Sequence, residues 1–296
     1  MADEKPAILL HLDVDPRPSV FDSVVAIDAG VDHLLAHGGV VPAEATALVH
    51  GALFTRGPAE LRRTAVFIGG SDVDAAERLK DAVVATFFGP FRVSVLLDPS
   101  GANTTAAAAV LAALRSVGGT LDGTRAAVLG ATGPVGRRVA SLLLGLGASV
   151  RLGSRRLDRA AALAETLLAG IETPGDIEAF ETSSVDLLAS GLDGAAIVVA
   201  AGAAGATLLP LSIRDRLASA RVVLDLNAVP PLGVEWIEVH DRGVERDGTV
   251  CWGALGVGGI KMKIHKAAVR KIFESNDRVI DAAEALAIGR ELGLDR

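Results

Sequence analysis

Three glycines at G-x-x-G-x-x-G spacing, Gly130, Gly133 and Gly136, punctuate the segment RAAVLGATGPVGRRVA, Arg125–Ala140. Ala126–Leu129 read as an apolar strand, and the residues from Pro134 onward as a helix. Glycine tolerates positive φ and lets a phosphate approach the backbone. The first turn of the helix aims free N–H groups and the positive end of its dipole at that phosphate. Thr132, Pro134 and Val135 lie between the glycines. The pattern is a variant of the dinucleotide fingerprint, not the standard G-x-G-x-x-G.

The next strand indicates which nucleotide. Ala148–Leu152 ends in GSRR, Gly153–Arg156. An acid about 20 residues beyond the glycines would accept from a ribose 2′-hydroxyl. Ser154, Arg155 and Arg156 stand there instead. A hydroxyl and two guanidinium groups suit a 2′-phosphate, which a carboxylate would repel. A solvated helix start is the other use of two arginines, but Asp or Glu would suit that end better. The expected cofactor is NADP. Ala201, Gly202, Asn227 and Gly256 complete the candidate nucleotide set.

Three more segments carry chemistry. Leu12–His33 holds Asp13, Asp15, Asp22, Asp28 and Asp32 with Ser19, Phe21 and His33. Capping and turn formation are the competing uses of each Asp. His33 and His37 have the H-x₃-H interval that suits a metal on a helix. No third ligand is placed, so no metal is expected. Asp98–Ala109, DPSGANTTAAAA, runs from a strand end into a helix. Ligands of open α/β sheets bind at the carboxyl ends of strands. Asn103, Thr104 and Thr105 would point an amide and hydroxyls at a polar ring edge, or act as a plain helix cap. Gly253–Lys266, GALGVGGIKMKIHK, reads as a glycine-rich loop with Lys261 opening the next helix. A cation there opposes the dipole, which gives Lys261 a functional reading.

These segments need elements to hold them. In the first third, strands at 7–12, 64–68 and 91–97 alternate with helices at 19–29, 42–54, 72–87 and 104–117. Such alternation predicts a parallel sheet with helices on both faces. Gly118, Gly119 and Gly123 mark a linker. Strands at 126–129, 148–152, 195–200 and 221–226 follow, with helices at 134–146, 157–169 and 211–218 between them. The expectation is an α/β protein of two domains: an N-terminal α/β substrate domain over 1–118 and a Rossmann-type NADP-binding domain with a parallel sheet over 119–264. Terminal helices at 265–296 are candidates to pack back on the first domain.

Composition narrows the class. A chain of 296 residues with 50% hydrophobic content suits two domains, each with its own core. The net charge of −7 argues against a nucleic-acid surface, and the basic run Arg151–Arg159 is local. One cysteine, Cys251, excludes an internal disulfide framework and fits a reducing cytoplasm. The MADEK start has no apolar run, so no signal peptide is expected. Ala195–Leu211 lacks charge, but Gly202, Gly205 and Pro210 interrupt it, so no membrane span is expected. Tyrosine is absent, which excludes the usual Tyr-x-x-x-Lys pair of short-chain dehydrogenases and the similar pair of folate dehydrogenase–cyclohydrolases.

The blocks PSVFDSVVAIDAGVDH, FTRG, VFIGGSDVDAAERL, FFGPFRVSVLLDPSGANTTAAAA, GATGPVG, LNAVPPLG and GALGVGGIKMKIHKA followed by FES span Leu12 to Ser275. Together they resemble the NADP-dependent methylene-tetrahydromethanopterin dehydrogenases of methylotrophic and related bacteria. The resemblance implies hydride transfer from the methylene carbon of the pterin to NADP, giving the methenyl cation and NADPH in one-carbon (formaldehyde) metabolism. It implies a pterin between the domains, touched by Ser19, Phe21, Asp22, Asp28, His33, Asn103, Thr104 and Thr105. It makes Lys261 the candidate catalytic residue and suggests a homo-oligomer. Delocalisation of the cation over two nitrogens means that no acid–base pair is required. The protein's task is proximity and orientation. Which Asp faces the pterin stays open. The alternatives are methylene-tetrahydrofolate as substrate, a non-catalytic NADP-binding regulator, and a shikimate-type dehydrogenase. The last would want a lysine–aspartate pair in the first domain, where the lysines are Lys5 and Lys80.

Overall fold

The computed structural model describes residues 5–170 and 176–296, so the MADE start lies outside it. The chain forms two compact units, residues 1–104 with 262–288 and residues 105–261 with 289–296. In chain order the first elements are β1 (Ile8–Asp13), α1 (Val20–Asp28), β2 (His33–His37), α2 (Ala45–Leu53), β3 (Thr64–Gly69), α3 (Val73–Ala85), β4 (Ser94–Leu97) and α4 (Ala102–Val117). Next come β5 (Arg125–Leu129), α5 (Pro134–Gly145), β6 (Ser149–Ser154), α6 (Leu157–Ala169), β7 (Ile177–Glu181), α7 (Val185–Leu192), β8 (Ile197–Ala200) and β9 (Val222–Asp225). The last are β10 (Arg242–Arg246), β11 (Thr249–Trp252), α8 (Ala254–Lys271), β12 (Val279–Ile280) and α9 (Ala282–Glu291).

The first unit is a parallel sheet in the order β2-β1-β3-β4-β12. Side chains alternate across a strand, so residue parity decides the face. Leu10, Leu12, Val66, Ile68, Val95 and Leu97 meet Val49, Leu53, Leu79 and Val83 of α2 and α3. The opposite parity, Leu9, Ala65, Phe67 and Leu96, packs on Ala26 of α1, Val269 and Ile272 of α8 and Ile288 of α9. β3 is buried along its whole length, as a central parallel strand covered on both faces should be. The strand order reverses direction between β1 and β3, which makes that point the ligand-binding crevice of such sheets.

The second unit is a seven-stranded sheet, β7-β6-β5-β8-β9-β11-β10, parallel except for β10 at the edge. Its switch point lies between β5 and β8. Apolar residues of β5, β8 and β9 form one core cluster with α7. Among the described residues no helix is long and apolar enough to cross a membrane.

Two readings from sequence are corrected here. His33–His37 is a strand, not a helix. Its H-x₃-H pair therefore spreads along an edge strand instead of stacking over one turn. Gly253–Gly259 is not a loop, because residues from Ala254 onward belong to α8. A β-carbon on Gly253 would meet the Glu238 carbonyl oxygen at 2.0 Å, and one on Gly256 the Asp241 carbonyl oxygen at 1.9 Å. Gly253 and Gly256 are a packing surface against the 238–242 backbone. Lys261 accordingly sits well inside α8, and the dipole argument for it falls away. Gly256→Ala should lower unfolding stability by about 2–3 kcal/mol, because overpacking against backbone outweighs alanine's helix preference of about 1 kcal/mol. Denaturant unfolding measures this; an unchanged midpoint would show that the 238–242 segment yields freely.

Candidate active site

The nucleotide side builds up from β5. Gly130 ends the strand at φ +67°, and its hydrogen sits where a β-carbon would be 2.8 Å from the Ala201 carbonyl oxygen. Gly136 lies where a β-carbon would be 2.4 Å from the Gly130 carbonyl oxygen, so the helix closes onto the turn. Gly133 is the residue before α5, at φ −79° and ψ 166°, with Pro134 at the first helical position. The three glycines thus do different work: two permit the turn, and Gly133 leaves its outer side open. An open cavity of about 630 Å³ begins there, lined by Gly130, Thr132, Gly133, Ala201 and Gly202 on one side. Ser154, Arg155, Arg156, Arg159 and Thr182 line the other.

Sequence reasoning named the serine and two of these arginines and missed Arg159 and Thr182. Arg159 lies in the first turn of α6, three residues after its cap Arg156, so nearness to the helix start was the available signal. Arg156 is engaged by Asp158 through a bidentate ion pair. Ser154 Oγ accepts from the Arg156 amide at 3.2 Å. Arg155 and Arg159 are exposed on the cavity wall. Pro134, Val135 and Gly136 shape the turn. Asn227 serves its own loop: Nδ2 donates to the Pro231 carbonyl at 2.9 Å and Oδ1 accepts from the Val229 amide at 2.9 Å. Gly256, packed on Asp241, is a helix-contact residue.

The first unit gathers polar groups at the carboxyl ends of β1, β3 and β4. Parity puts His11 and Asp13 on the α8 side of the sheet with Phe67, and β-register sets His11 beside Phe67 and Asp13 beside Gly69. A side chain on Gly69 would collide with this group: its β-carbon would lie 3.2 Å from His11 Nε2 and 3.3 Å from Asp13 Oδ2. His11 Nε2 is 3.4 Å from Asp13 Oδ2, and both residues are buried. Asp13 Oδ1 accepts from the Asp15 amide at 2.8 Å, and Oδ2 accepts from the Ser19 amide at 3.0 Å. Ser19 then caps α1, its Oγ accepting from the Asp22 amide at 3.2 Å.

Asp98 continues the cluster. Its Oδ1 accepts from the amides of Asn103 and Thr104, each at 3.0 Å, and its Oδ2 from Thr104 Oγ1 at 2.6 Å. Asn103 Nδ2 donates to the Leu97 carbonyl. The amide and hydroxyl read as ligand contacts are thus turned inward, fixing the start of α4. Thr105 is half-buried. His265, on α8, brings the last group: Nε2 is 3.9 Å from Asp22 Oδ1, and Nδ1 is 4.0 Å from Asp98 Oδ2. Burial pushes the Asp22 carboxyl up, and burial pushes the His11 imidazole down. Phe21 lies near the His265 ring and is half-exposed.

Two sequence candidates fall outside this cluster. Asp28 is exposed and paired with Lys266 at 2.9 Å. His33 is exposed and pairs in register with Ile8 at the amino end of the sheet. Five strand residues separate that level from Asp13, about 16 Å. Among the described residues no group of three His, Cys, Asp or Glu is arranged to hold a metal ion.

Comparison with known proteins places the chain. Residues 20–100 match the family model described as methylene-tetrahydromethanopterin dehydrogenase, N-terminal. The "NAD(P)-dependent methylenetetrahydromethanopterin dehydrogenase" of Methylorubrum extorquens is 30% identical over 93% of this chain and 94% of its own length. The chain belongs to the methylene-tetrahydromethanopterin dehydrogenase family. A second M. extorquens relative of this dehydrogenase, "Bifunctional protein MdtA", is 44% identical over 96% of the chain and 98% of its own length. Among solved structures, a shikimate 5-dehydrogenase from Listeria monocytogenes, crystallised with shikimate and NAD, superposes with a TM-score of 0.57 at 15% identity. It covers 97% of the dehydrogenase and 96% of itself, and shares the fold. As a member of its family, the dehydrogenase is an oxidoreductase using a nicotinamide cofactor.

Proposed function

We propose that the cavity at the β5/β8 switch point takes NADP and that the cluster at the β1/β3 switch point takes the pterin ring of methylene-tetrahydromethanopterin. One observation carries this reading. Each sheet presents a polar site at its own switch point, one lined by glycines and arginines and one gathering the carboxylates of Asp13, Asp22 and Asp98. Gly130 and Gly133 would cradle the pyrophosphate against α5, and Arg155, Arg159 and Ser154 would hold the 2′-phosphate. Bound NADP supplies the hydride acceptor. Asp22 is the carboxylate at the mouth of its cluster, beside the half-exposed Phe21 ring. A pterin offers an amino group and a ring N–H side by side, which a carboxylate accepts as a pair. The same negative charge favours the cation that oxidation of the methylene carbon leaves. No proton has to move, so the residues bind and orient. Lys261 precedes His265 by one helical turn on α8 and serves the far edge of the pterin.

NADPH formation followed by absorbance, with purified methylene-tetrahydromethanopterin and with methylene-tetrahydrofolate, tests this. The expected result is faster turnover with the former; no turnover with either would overturn it. Arg155→Ala should raise the KM for NADP about tenfold, since a charge-assisted contact contributes roughly 1.5–3 kcal/mol, and should leave NAD kinetics nearly unchanged. Equal losses with both nucleotides would remove the 2′-phosphate assignment. Cys251, buried and unpaired, supports a reducing cytoplasm. The exposed apolar row Val20, Val24 and Ile27 on α1 supports a homo-oligomer.

A further inference from the structure

His265 is a buried group that hydride transfer does not use. Its side chain is about 1% exposed. Neither ring nitrogen has a hydrogen-bond partner among the described residues. The ring stacks on Phe67, with centroids 5.8 Å apart and planes 13° apart. Its two nitrogens lie at nearly equal distances from two carboxylates, 3.9 Å to Asp22 and 4.0 Å to Asp98.

The two carboxylates differ in freedom. Asp98 is fully buried and accepts three hydrogen bonds from the start of α4. Asp22 is 11% exposed and sits in the first turn of α1. A ring clamped by Phe67 and facing an immobile Asp98 is a fixed wall for Asp22. It limits where the Asp22 oxygens lie, and a proton on the ring nitrogen 3.9 Å from Asp22 Oδ1 favours the ionised carboxylate.

From this geometry we infer that His265 is a positioning residue: stacked on Phe67 between Asp98 and Asp22, it holds the Asp22 carboxylate ionised and aimed at the pterin's paired amino and N–H donors. This rests on the reading that Asp22 meets the pterin. The groups that face the pair are Asp98 from the β4–α4 turn, His11 and Asp13 from β1, and Ser19 and Ser23 from α1. Burial and Asp98 both favour the protonated form of Asp22, while the Ser19 hydrogen bond most, then His265 and His11, oppose it. Without the imidazole, Asp22 would take up its proton at higher pH.

The test uses His265→Phe, which keeps a ring against Phe67 and has no donor, and His265→Gln, which keeps a donor without an imidazole. The expected result for His265→Phe is a pterin KM about tenfold higher at neutral pH, with the NADP KM within twofold. The acid limb of kcat/KM for the pterin should move up by about one pH unit. His265→Gln should recover part of the neutral-pH KM, and it serves as the test if the phenylalanine variant fails to fold. In an Asp22→Asn background, His265→Phe should add no further loss, because it acts through Asp22. If it adds its full effect there, or if both variants keep the wild-type pterin KM and pH profile, the positioning role is overturned while the site stands. If Asp22→Asn alone leaves the pterin KM unchanged, the underlying pterin reading fails instead.

Discussion

Gly133→Val is expected to abolish nucleotide binding while leaving the fold intact. The neighbouring glycines would not give so clean a result. Gly130 has positive φ, and a side chain there would strike the Ala201 carbonyl. A side chain on Gly136 would strike the Gly130 carbonyl and prise α5 from the turn. At Gly133 the backbone is extended, at φ −79° and ψ 166°, which valine adopts readily. Its β-carbon would lie 3.2 Å from the Gly130 carbonyl oxygen and 3.8 Å from that of Ala201, a tight but relievable fit. The two methyl groups would then project into the cavity where the pyrophosphate is expected to approach the amides of the first turn. A phosphate held off the backbone loses several charge-assisted hydrogen bonds at once, and each contributes roughly 1.5–3 kcal/mol. Calorimetry should show NADP affinity falling by at least about 100-fold, with circular dichroism and the melting temperature near wild type. Tight binding by a folded Gly133→Val variant would sink the assignment of the turn.

That turn was legible because its signal is local. Strand, glycines, helix and the arginines after the next strand lie within about 30 residues, and short-range backbone physics dictates all of them. The core strands β1, β3, β4, β5, β6, β8 and β9 were legible for the same reason, whereas β2, β7, α7, β10, β11 and β12 were not read. Other features depend on partners far along the chain. The glycines of α8 read as a loop because glycine weakens isolated helices. The contact that explains Gly256, with the 238–242 backbone, is invisible to local propensity. His33 and Asp22 are near neighbours in sequence, but a parallel strand carried His33 to the amino end of the sheet. His265 reaches Asp22 from a helix near the end of the chain. One clue to this cluster was available: His11 and Asp13 are polar residues in a strand that otherwise reads as a buried apolar run. A polar residue at a core position requires a partner or a function. His11 carries that signal, and it marks the face on which Asp13, Asp98 and His265 converge.

Asp22→Asn should separate the function of this cluster from its stability. Asparagine has nearly the same shape, so packing against His265 and Ser19 is kept. The charge is lost, and one oxygen becomes an NH₂ that cannot accept from the pterin. Two charge-assisted contacts weaken together, and the developing cation loses its counter-charge. The expected fall in kcat/KM for the pterin is about 100-fold, with the NADP KM within twofold. The stability change has the opposite sign. Burial raises the Asp22 carboxyl above its unfolded value. The stabilisation linked to its protonated form is complete below the unfolded pKa and is lost as pH rises through the folded one. At neutral pH the fold therefore carries the desolvation cost of an ionised Asp22, and an uncharged asparagine removes that cost. The variant should melt at or above the wild-type temperature at pH 7, and the difference should vanish in acid. Its acid limb of kcat/KM should flatten, since the titrating group is gone. Wild-type pterin kinetics in the variant would remove Asp22 from the site. A lower melting temperature at pH 7 would show instead that ionised Asp22 gains more from His265 than it loses by burial.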